Sequence, residues 1–389
     1  MTTTSTIPNV GAKLGANPLK ALLAYGQSPW MDYIRRDLLS SGGLKKYIED
    51  DGLRGMTSNP AIFEKAIVGS DLYSDILNSP EAKKLDAKAL FEKIAVRDVQ
   101  DACDIFAAVY KETNRRDGFV SIEVSPYLAS DTKATIEEAR RLWKSVNRPN
   151  VMVKVPATPE CISAIRQLLE EGLNINITLL FAQSFYEQVA EAFLAALEAR
   201  VQKGQDISHI ASVASFFVSR IDTLVDSRVD ERLKTTTDAA QRAVLESVRG
   251  KVAIANAKLT YKKYQELFGG PRWKALAAKG AQTQRLLWAS TSTKNPKYRD
   301  VIYVEELIGA DTVDTIPPAT FDAFRDHGKL RASLTEDLES ARKTMENLAQ
   351  ARISMKDVTD KLLVDGVKLF SDAFKQLLDA TGKTAGVSS

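Results

Sequence analysis

Short apolar runs alternate with amphipathic segments over most of the chain. The runs are rich in β-branched residues and predict buried strands, whereas the segments between them repeat apolar residues every three or four positions and predict helices. Strands that alternate with helices indicate parallel βαβ units. The predicted strands are Gln27 to Tyr33, Gly52 to Asn59, Gly118 to Pro126, Asn150 to Thr158, Asn174 to Thr178, Ile210 to Val218, Arg285 to Ala289 and Asp311 to Ile316.

Eight such strands in about 300 residues predict an α/β fold of the closed (β/α)8 type, the TIM barrel, rather than an open sheet. No GxGxxG motif opens a predicted helix and no GxxxxGK[ST] motif occurs, which argues against a dinucleotide-binding fold and a P-loop. The length leaves room for one large domain or two ordinary ones. The pattern predicts an N-terminal arm with a short helix at 1–26, a barrel at 27–330 and a C-terminal helical extension at 331–389 that packs on the barrel. The barrel includes a long helical connection at 226–279, before the seventh strand.

The amphipathic segments give the other helices and the ends of the chain. Ser130 or Asp131 is expected to cap the helix at Thr132, and Pro159 to occupy the first turn of the helix at Thr158. The Thr/Ser-rich start lacks the apolar segment of a secretory signal, and no apolar run is long enough to span a bilayer, so we expect a cytoplasmic protein. Helices are predicted at Asn17 to Tyr25, Ile34 to Asp50, Phe63 to Lys111 with a break near Ser79, Thr132 to Val146, Thr158 to Glu171, Ser184 to Lys203 and Lys329 to Leu378, and frayed ends at Met1 to Ile7 and Thr381 to Ser389.

The fourth predicted strand carries a lysine within an apolar run. Strand alternation places Lys154 and Met152 on one face and three valines on the other. Burial disfavours a charged ammonium group, which is how an amine becomes free to attack a carbonyl near neutral pH. Lys154 is therefore a candidate covalent nucleophile. On the strand alone a second interpretation stays open, in which the lysine extends its ammonium group into solvent at the strand end.

Composition narrows the chemistry that the chain can perform. The formal charge is +3 from 53 basic and 50 acidic residues, so the global charge favours neither nucleic acid nor a membrane surface as a partner. Cys103 and Cys161 lack CxxC spacing, which fits a reducing compartment and argues against a disulfide framework or a zinc cluster. His209 and His327 are too few for the usual histidine triads and multi-histidine metal sites. Acid and base chemistry is therefore expected from carboxylates and lysine.

Polar residues interrupt the apolar pattern near the carboxyl ends of the first six predicted strands. In a (β/α)8 barrel these ends meet at one face, where active sites lie. Each residue has an ordinary structural alternative: Asp32 could cap the next helix, and Asn59 could make a turn before a proline. Asn176 or Thr178 could satisfy backbone groups. Together these polar residues surround one lysine with two carboxylates, which is the material for Schiff-base chemistry. They are Asp32, Asn59, Glu123, Lys154, Asn176, Thr178 and Ser215.

Several of these residues lie in segments that resemble the motifs of transaldolase, a family in the class I Schiff-base aldolase superfamily. The similarity covers most of residues 20 to 330 and is to the longer bacterial branch, which has an extended connection before the seventh strand. The motifs occur in the expected order on a barrel pattern. They are Gly55 to Phe63 (GMTSNPAIF), Ser121 to Pro126 (SIEVSP), Val151 to Thr158 (VMVKVPAT), Asn174 to Phe181 (NINITLLF) and Ala289 to Lys294 (ASTSTK).

The resemblance implies a transferase of the non-oxidative pentose phosphate pathway that needs no metal or organic cofactor. It would move a three-carbon dihydroxyacetone unit from sedoheptulose 7-phosphate or fructose 6-phosphate to glyceraldehyde 3-phosphate or erythrose 4-phosphate. Lys154 would attack the C2 carbonyl of the ketose, and Asp32 would take the proton of the C4 hydroxyl. Glu123, working through a water, and Thr178 would move protons as the Schiff base forms and is hydrolysed.

The same resemblance implies how the substrate is held. Asn59, Asn176 and Ser215 would hold the hydroxyl groups of the retained dihydroxyacetone unit, which makes the reaction a transfer rather than a simple cleavage.

The phosphate group would meet Arg220, whose planar fork suits phosphate oxygens. An ordinary ion pair of this arginine with Asp222 or Asp226 is the alternative. Shorter transaldolases carry an arginine after the seventh strand, where this chain has Lys294. A lysine binds phosphate as a point charge, so Lys294 is a second candidate ligand.

Two rival functions stay open at this point. Another metal-free Schiff-base aldolase would use the same lysine but release the three-carbon ketone. A non-catalytic barrel that binds sugar phosphates would be expected to have lost Asp32, Glu123 or Lys154, and all three are present. C-terminal helices in this family can close over the site or support a dimer, and the sequence leaves monomer and homodimer both open.

Overall fold

Eight parallel strands close into a barrel in the computed structural model, which describes residues 17–68 and 70–386. The strands are β1 (Gln27–Asp32), β2 (Gly55–Thr57), β3 (Phe119–Glu123), β4 (Val151–Pro156), β5 (Ile175–Leu180), β6 (Ser212–Phe217), β7 (Arg285–Ala289) and β8 (Thr312–Ile316). Each strand pairs with its neighbours in chain order, and β1 pairs with β8 to complete the ring. The predicted (β/α)8 fold is confirmed.

Helices connect the strands and cover the outside of the barrel. They are α1 (Pro18–Ala21), α2 (Arg36–Ser40), α3 (Gly43–Asp51), α4 (Pro60–Ile67), α5 (Ser74–Leu77), α6 (Ala87–Glu112), α7 (Thr132–Val146), α8 (Cys161–Glu171), α9 (Gln183–Gln202), α10 (Ser219–Leu233), α11 (Ala239–Val248), α12 (Val252–Leu267), α13 (Pro271–Ala277), α14 (Ile302–Glu305), α15 (Pro318–His327), α16 (Leu338–Gln350) and α17 (Met355–Ala385). Short 3-10 turns lie at Leu22–Tyr25, Asp71–Tyr73, Ala82–Lys84, Pro126–Leu128 and Ser333–Thr335. The helix predicted at Thr132 to Val146 is confirmed, with Asp131 as its cap.

Several other boundaries differ from the sequence prediction. The segment from Ile34 to Asp50 forms two helices rather than one, because Gly42 adopts a left-handed conformation (φ 82°) between them. The helix after β4 begins at Cys161, so Pro159 lies in the preceding turn and not in the first helical turn. The connection before β7 is helical already from Ser219, directly after β6.

The strands β3, β4 and β5 place three polar side chains at one level. Their register sets Glu123 beside Lys154, and Lys154 beside Asn176. Parallel strands of a barrel are covered on one face by helices and on the other by the packed interior, and β4 and β5 are buried along their whole length. Charged side chains at this depth therefore need a specific environment.

The amino-terminal end of the barrel is closed by a cluster that we call the floor, formed by Ser28, Trp30, Asp117 and Arg285. Arg285 donates from Nη2 to Asp117 Oδ1 and from Nη1 to Ser28 Oγ, both at 2.8 Å. Ser28 Oγ donates to Asp117 Oδ2 at 2.7 Å, and Trp30 Nε1 donates to Asp117 Oδ1 at 3.1 Å. A Cβ atom on Gly55 would lie 2.5 Å from the Trp30 ring, so the floor requires glycine there.

Helix α17 lies across the opposite, carboxyl-terminal end of the barrel, where it packs against α4, α6, α10 and β5. A Cβ atom on Gly366 would lie 3.0 Å from Leu179 Cδ2, so the helix backbone approaches the end of β5 closely. The tail expected to fray from Thr381 is helical as far as Ala385, while residues 387–389 and Met1 to Ile7 lie outside the described residues. Within 17–68 and 70–386, no helix combines the length and apolar character that a bilayer crossing requires.

Candidate active site

A cavity of about 160 Å³ opens at the carboxyl ends of the strands. Seven of the nine predicted site residues line it: Asp32, Asn59, Lys154, Thr178, Ser215, Arg220 and Lys294. The other two, Glu123 and Asn176, lie directly behind this lining and contact residues of the same cluster.

Lys154 is buried inside the barrel, with only 4% of its surface exposed, so the interpretation as a lysine reaching into solvent is wrong. Its Nζ donates a hydrogen bond to the backbone oxygen of Ser58 at 2.9 Å. Glu123 Oε2 lies 3.5 Å from the same nitrogen, a loose ion pair. The Phe370 ring of α17 faces the ammonium group with its centroid 5.8 Å away. The amine therefore sits between one carbonyl, one carboxylate and one aromatic face.

Glu123 is the proton-holding group next to this amine. Burial raises its pKa to about 7, although the neighbouring positive charge of Lys154 opposes the shift. A carboxyl group that titrates near neutrality can both accept and return a proton at physiological pH. The geometry thus allows proton exchange between Glu123 and the lysine, directly or through a water.

Asp32 is the second carboxylate of the cavity. Thr57 Oγ1 lies 2.7 Å from Asp32 Oδ1 as a donor, and 2.6 Å from Thr315 Oγ1. Burial raises the pKa of Asp32, while Lys154 and the Thr57 hydrogen bond act in the opposite direction. The helix that follows β1 receives no side-chain cap, so the alternative role of Asp32 as a helix cap is wrong.

Hydrogen bonds connect polar side chains of β3, β5 and β6. Asn176 Nδ2 donates to Ser121 Oγ at 3.0 Å, and Ser215 Oγ donates to Asn176 Oδ1 at 2.6 Å. The Asn176 amide therefore bonds to two hydroxyl groups and, among the described residues, not to backbone groups. Its hydrogen-bonding capacity is therefore used largely within the protein.

Thr178 differs from its neighbours on β5, because its buried Oγ1 has no hydrogen-bond partner among the described residues. Leu179, the next residue, has a φ of 61°, and the pairing of β5 with β6 shifts between Ile177 and Leu180. Thr178 lines the cavity beside this irregular part of the strand. A buried hydroxyl without a partner costs free energy unless a ligand or a water supplies one.

Asn59 caps a helix and also lines the cavity. Its Oδ1 accepts a hydrogen bond from the backbone nitrogen of Ile62 at 3.1 Å and thereby caps α4. The residue also lines the cavity, and within the described residues its amide nitrogen donates no hydrogen bond to the protein. One end of the amide is therefore fixed by the helix, and the other remains available to a bound hydroxyl.

Arg220 and Lys294 bring two positive charges to the mouth of the cavity. The alternative ion pair of Arg220 is wrong: Asp222 and Asp226 accept hydrogen bonds from other groups, and Arg220 has no ion pair within the described residues. Burial lowers the pKa of Arg220, and the pKa of Lys294 is lowered by loss of hydration and by the charge of Arg220. Lys294 Nζ donates to Ser292 Oγ at 2.6 Å. An anion between these cations would relieve their repulsion.

Sequence reasoning missed several residues of the site. Thr57 and Thr315 connect the first, second and last strands next to Asp32, and a polar residue at the end of an apolar strand was an available signal for both. Ser121 lies in one of the motifs but was given no role, and its hydroxyl accepts a hydrogen bond from Asn176. Phe370 had no such signal, because it lies on a helix more than 200 residues away in the sequence from Lys154.

The described residues contain no group of three His, Cys, Asp or Glu side chains that could hold a metal ion. What they do contain is a buried amine, two carboxyl groups with raised pKa values and a cationic rim. An amine of this kind can form an iminium with a carbonyl, the carboxyl groups can move the protons, and the rim can bind an anion.

Comparison with known proteins agrees with this chemistry. The family model for transaldolase/fructose-6-phosphate aldolase matches residues 29–381. A transaldolase of Trichodesmium erythraeum is 48% identical over 367 residues, which are 94% of this chain and 96% of that protein. Transaldolases of Frankia alni and Neisseria gonorrhoeae are 43% and 42% identical, over 96% and 92% of this chain and 99% and 98% of theirs. The chain belongs to the transaldolase/fructose-6-phosphate aldolase family.

Proposed function

We propose that the chain catalyses the transaldolase reaction through a Schiff base on Lys154. It would take a dihydroxyacetone unit from sedoheptulose 7-phosphate or fructose 6-phosphate and pass it to glyceraldehyde 3-phosphate or erythrose 4-phosphate, in the non-oxidative pentose phosphate pathway. The observation that carries this proposal is the buried Lys154 amine, held 2.9 Å from the Ser58 carbonyl and 3.5 Å from Glu123. Near-full-length relatives named transaldolase support it.

The first step is attack of the neutral amine on the C2 carbonyl of the ketose. Glu123, whose pKa is about 7, accepts the proton that the ammonium group must lose. The nitrogen adds to C2, the former carbonyl oxygen takes one proton from this nitrogen and one back from Glu123, and it leaves as water, so that an iminium remains. The free hydroxyl of Thr178 lies in the cavity and is suited to orient the water that carries these protons.

The second step breaks the C3–C4 bond. Asp32 takes the proton of the C4 hydroxyl, and its raised pKa makes it a better base than an exposed aspartate. The electrons of the C3–C4 bond move into the iminium, which becomes an enamine, and the aldose phosphate leaves. The acceptor aldehyde then reacts in the reverse sense, and Asp32 returns its proton to the new hydroxyl.

Substrate hydroxyl and phosphate groups are held by the remaining polar residues. Asn59 offers its free amide nitrogen and Ser215 its hydroxyl, with Asn176 fixing Ser215 from behind. Arg220 and Lys294 bind the phosphate at the mouth, the arginine by its fork and the lysine as a point charge. No metal or organic cofactor takes part in this scheme.

The test is to trap the intermediate. The protein is incubated with fructose 6-phosphate and reduced with borohydride, and the adduct is mapped by mass spectrometry. A three-carbon adduct on Lys154 is expected, and its absence would overturn the proposal. Lys258 supplies a matched control, because it is also buried, donates to a backbone oxygen at 3.1 Å and lies 3.9 Å from a glutamate, but does not line the cavity. The Lys258→Met variant should still form the adduct.

A second function, a Schiff-base aldolase that releases dihydroxyacetone, shares every step up to the enamine. The two are distinguished by incubation with fructose 6-phosphate alone: an aldolase accumulates free dihydroxyacetone, whereas a transaldolase stops at the enamine until an acceptor aldehyde is added. The paired cations at the mouth favour phosphorylated substrates for both functions.

For location and partners we propose a cytoplasmic enzyme that acts on sugar phosphates, as a monomer or a homodimer, with neither nucleic acid nor a membrane as partner. The unpaired, buried thiols of Cys103 and Cys161 fit a reducing compartment.

A further inference from the structure

Phe370 is unusual among the residues that line the cavity, because the others belong to the barrel strands or to the segments that directly follow them. Phe370 comes from the middle of α17 and enters from the solvent side. Its ring centroid lies 5.8 Å from Lys154 Nζ. The ring therefore covers the amine on the side where the barrel opens.

The packing of α17 fixes this ring in place. Gly366, one turn before Phe370, lies against Leu179 of β5. Phe374, one turn after it, packs its ring against Phe91 and Tyr127 at centroid distances of 5.9 and 5.4 Å. Gly366 and Phe374 are buried, whereas Phe370 is only half-buried. The helix is therefore held on both sides of Phe370, whose partly exposed side chain lines the cavity.

The bound three-carbon unit has two chemical fates once the aldose phosphate has left. In the first, the enamine carbon attacks the acceptor aldehyde, the carbonyl electrons move to its oxygen, and that oxygen takes the proton from Asp32. In the second, the enamine carbon takes a proton from water instead. Both routes then end in the same way, because a water adds to the iminium carbon and the C–N bond breaks to free the lysine amine. Only the second route needs a water at the enamine carbon.

We propose that Phe370 determines the partition between these two fates. Its ring keeps water away from the enamine carbon, and its face stabilises the iminium cation. The C-terminal helix thus makes the enzyme a transferase rather than an aldolase. This inference rests on the proposed function.

The experiment measures, in Phe370→Ala, how much of the three-carbon unit is released and how much is transferred. The variant is incubated with fructose 6-phosphate and erythrose 4-phosphate, and free dihydroxyacetone is measured against sedoheptulose 7-phosphate. Loss of the ring should raise the ratio of release to transfer by about tenfold, the factor that corresponds to about 1.4 kcal/mol. In D2O the released dihydroxyacetone should carry deuterium at the former enamine carbon, because that carbon takes its proton from solvent. Phe370→Leu, which keeps an apolar side chain, should give a smaller increase.

Leu369→Ala is the control, because it removes an exposed apolar side chain next to Phe370 on the same helix, and Leu369 does not line the cavity. It should leave the ratio unchanged. An unchanged ratio in Phe370→Ala would overturn the inference, and so would loss of the borohydride adduct in both Phe370 variants, since the ring would then serve Schiff-base formation. Absence of the adduct in the wild-type protein would instead overturn the proposed function.

Discussion

The two ends of the barrel each hold a buried basic residue beside a buried carboxylate, and they differ in how completely these groups are paired. In the floor, Arg285 and Asp117 have side chains 5% and 9% exposed and lie 2.8 Å apart, and Ser28 and Trp30 supply further bonds. At the mouth, Lys154 and Glu123 are equally buried at 6% and 9%, yet lie 3.5 Å apart.

This difference in pairing separates stability from chemistry. The Arg285–Asp117 pair has additional hydrogen bonds to Ser28 and Trp30, and such a network stabilises the barrel. At the other end, the loose pair leaves a carboxyl group with a pKa of about 7 beside an amine, and the nearby Thr178 hydroxyl has no partner among the described residues. The Lys154–Glu123 pair therefore contributes less to stability than the Arg285–Asp117 pair, but its groups remain able to react.

The largest expected effects come from removing the basic residue at each end. Lys154→Met should abolish transfer, because no other amine in the cavity occupies its place, and should cost little stability, since Glu123 can become neutral by taking a proton. Arg285→Met leaves Asp117 buried and unpaired and should lower the free energy of unfolding by about 3–5 kcal/mol. Urea denaturation and the rate per folded molecule check both results. A fully active Lys154→Met protein would remove the basis of the comparison.

The carboxylates give the next test. Asp32→Asn should lower kcat by about 10²- to 10⁴-fold, the usual contribution of a general base. Asp117→Asn should leave kcat of the folded protein unchanged and lower its thermal midpoint. Steady-state kinetics and thermal unfolding on both variants measure the contrast. If Asp117→Asn lowered kcat as much as Asp32→Asn does, the floor would have a catalytic role that its geometry does not suggest.

The cationic rim should affect binding more than turnover. Arg220→Met should raise KM for fructose 6-phosphate by about 10- to 100-fold, as expected for loss of a charged hydrogen bond worth about 1.5–3 kcal/mol. Unphosphorylated fructose should be used as poorly by the variant as by the parent. Arg97→Met serves as control, because that arginine is exposed and pairs with Asp101 on the outside of the barrel. If Arg220→Met weakened the use of fructose 6-phosphate and of fructose by the same factor, Arg220 would be excluded as a phosphate ligand.

The smallest effect concerns pH and Glu123. Its pKa is raised from 4.5 to about 7 in the folded protein, so the folded state binds the proton more tightly than the unfolded chain does. The resulting stabilisation is complete below about pH 4.5 and is lost as the pH rises through about 7. Glu123→Gln should therefore become more stable relative to the parent between these limits, and should lose the titration of kcat near pH 7. Urea unfolding and kcat measured across this range test it, and an identical pH dependence in both proteins would contradict it.

Much of this site was predictable, because the two-residue period of a strand indicates which side chains face the barrel interior and which face the helices. The two-residue period placed Lys154 on the face opposite three valines, and the barrel topology placed Lys154, Glu123 and Asn176 at one end. Helix boundaries were less predictable. Pro159 has the residue type of a first helical turn but lies before one.

The sequence by itself determined the strands, the closed barrel and the set of polar residues, because these depend on local pattern and on the short connections between neighbouring elements. It did not determine which of those residues would be left unpaired. Among the described residues, the Thr178 hydroxyl has no hydrogen-bond partner and Arg220 has no ion pair, because tyrosines and backbone amides occupy Asp222 and Asp226. Phe370 reaches Lys154 only because a distant helix packs across the mouth. Contacts between residues far apart in the chain depend on packing, which no local pattern specifies.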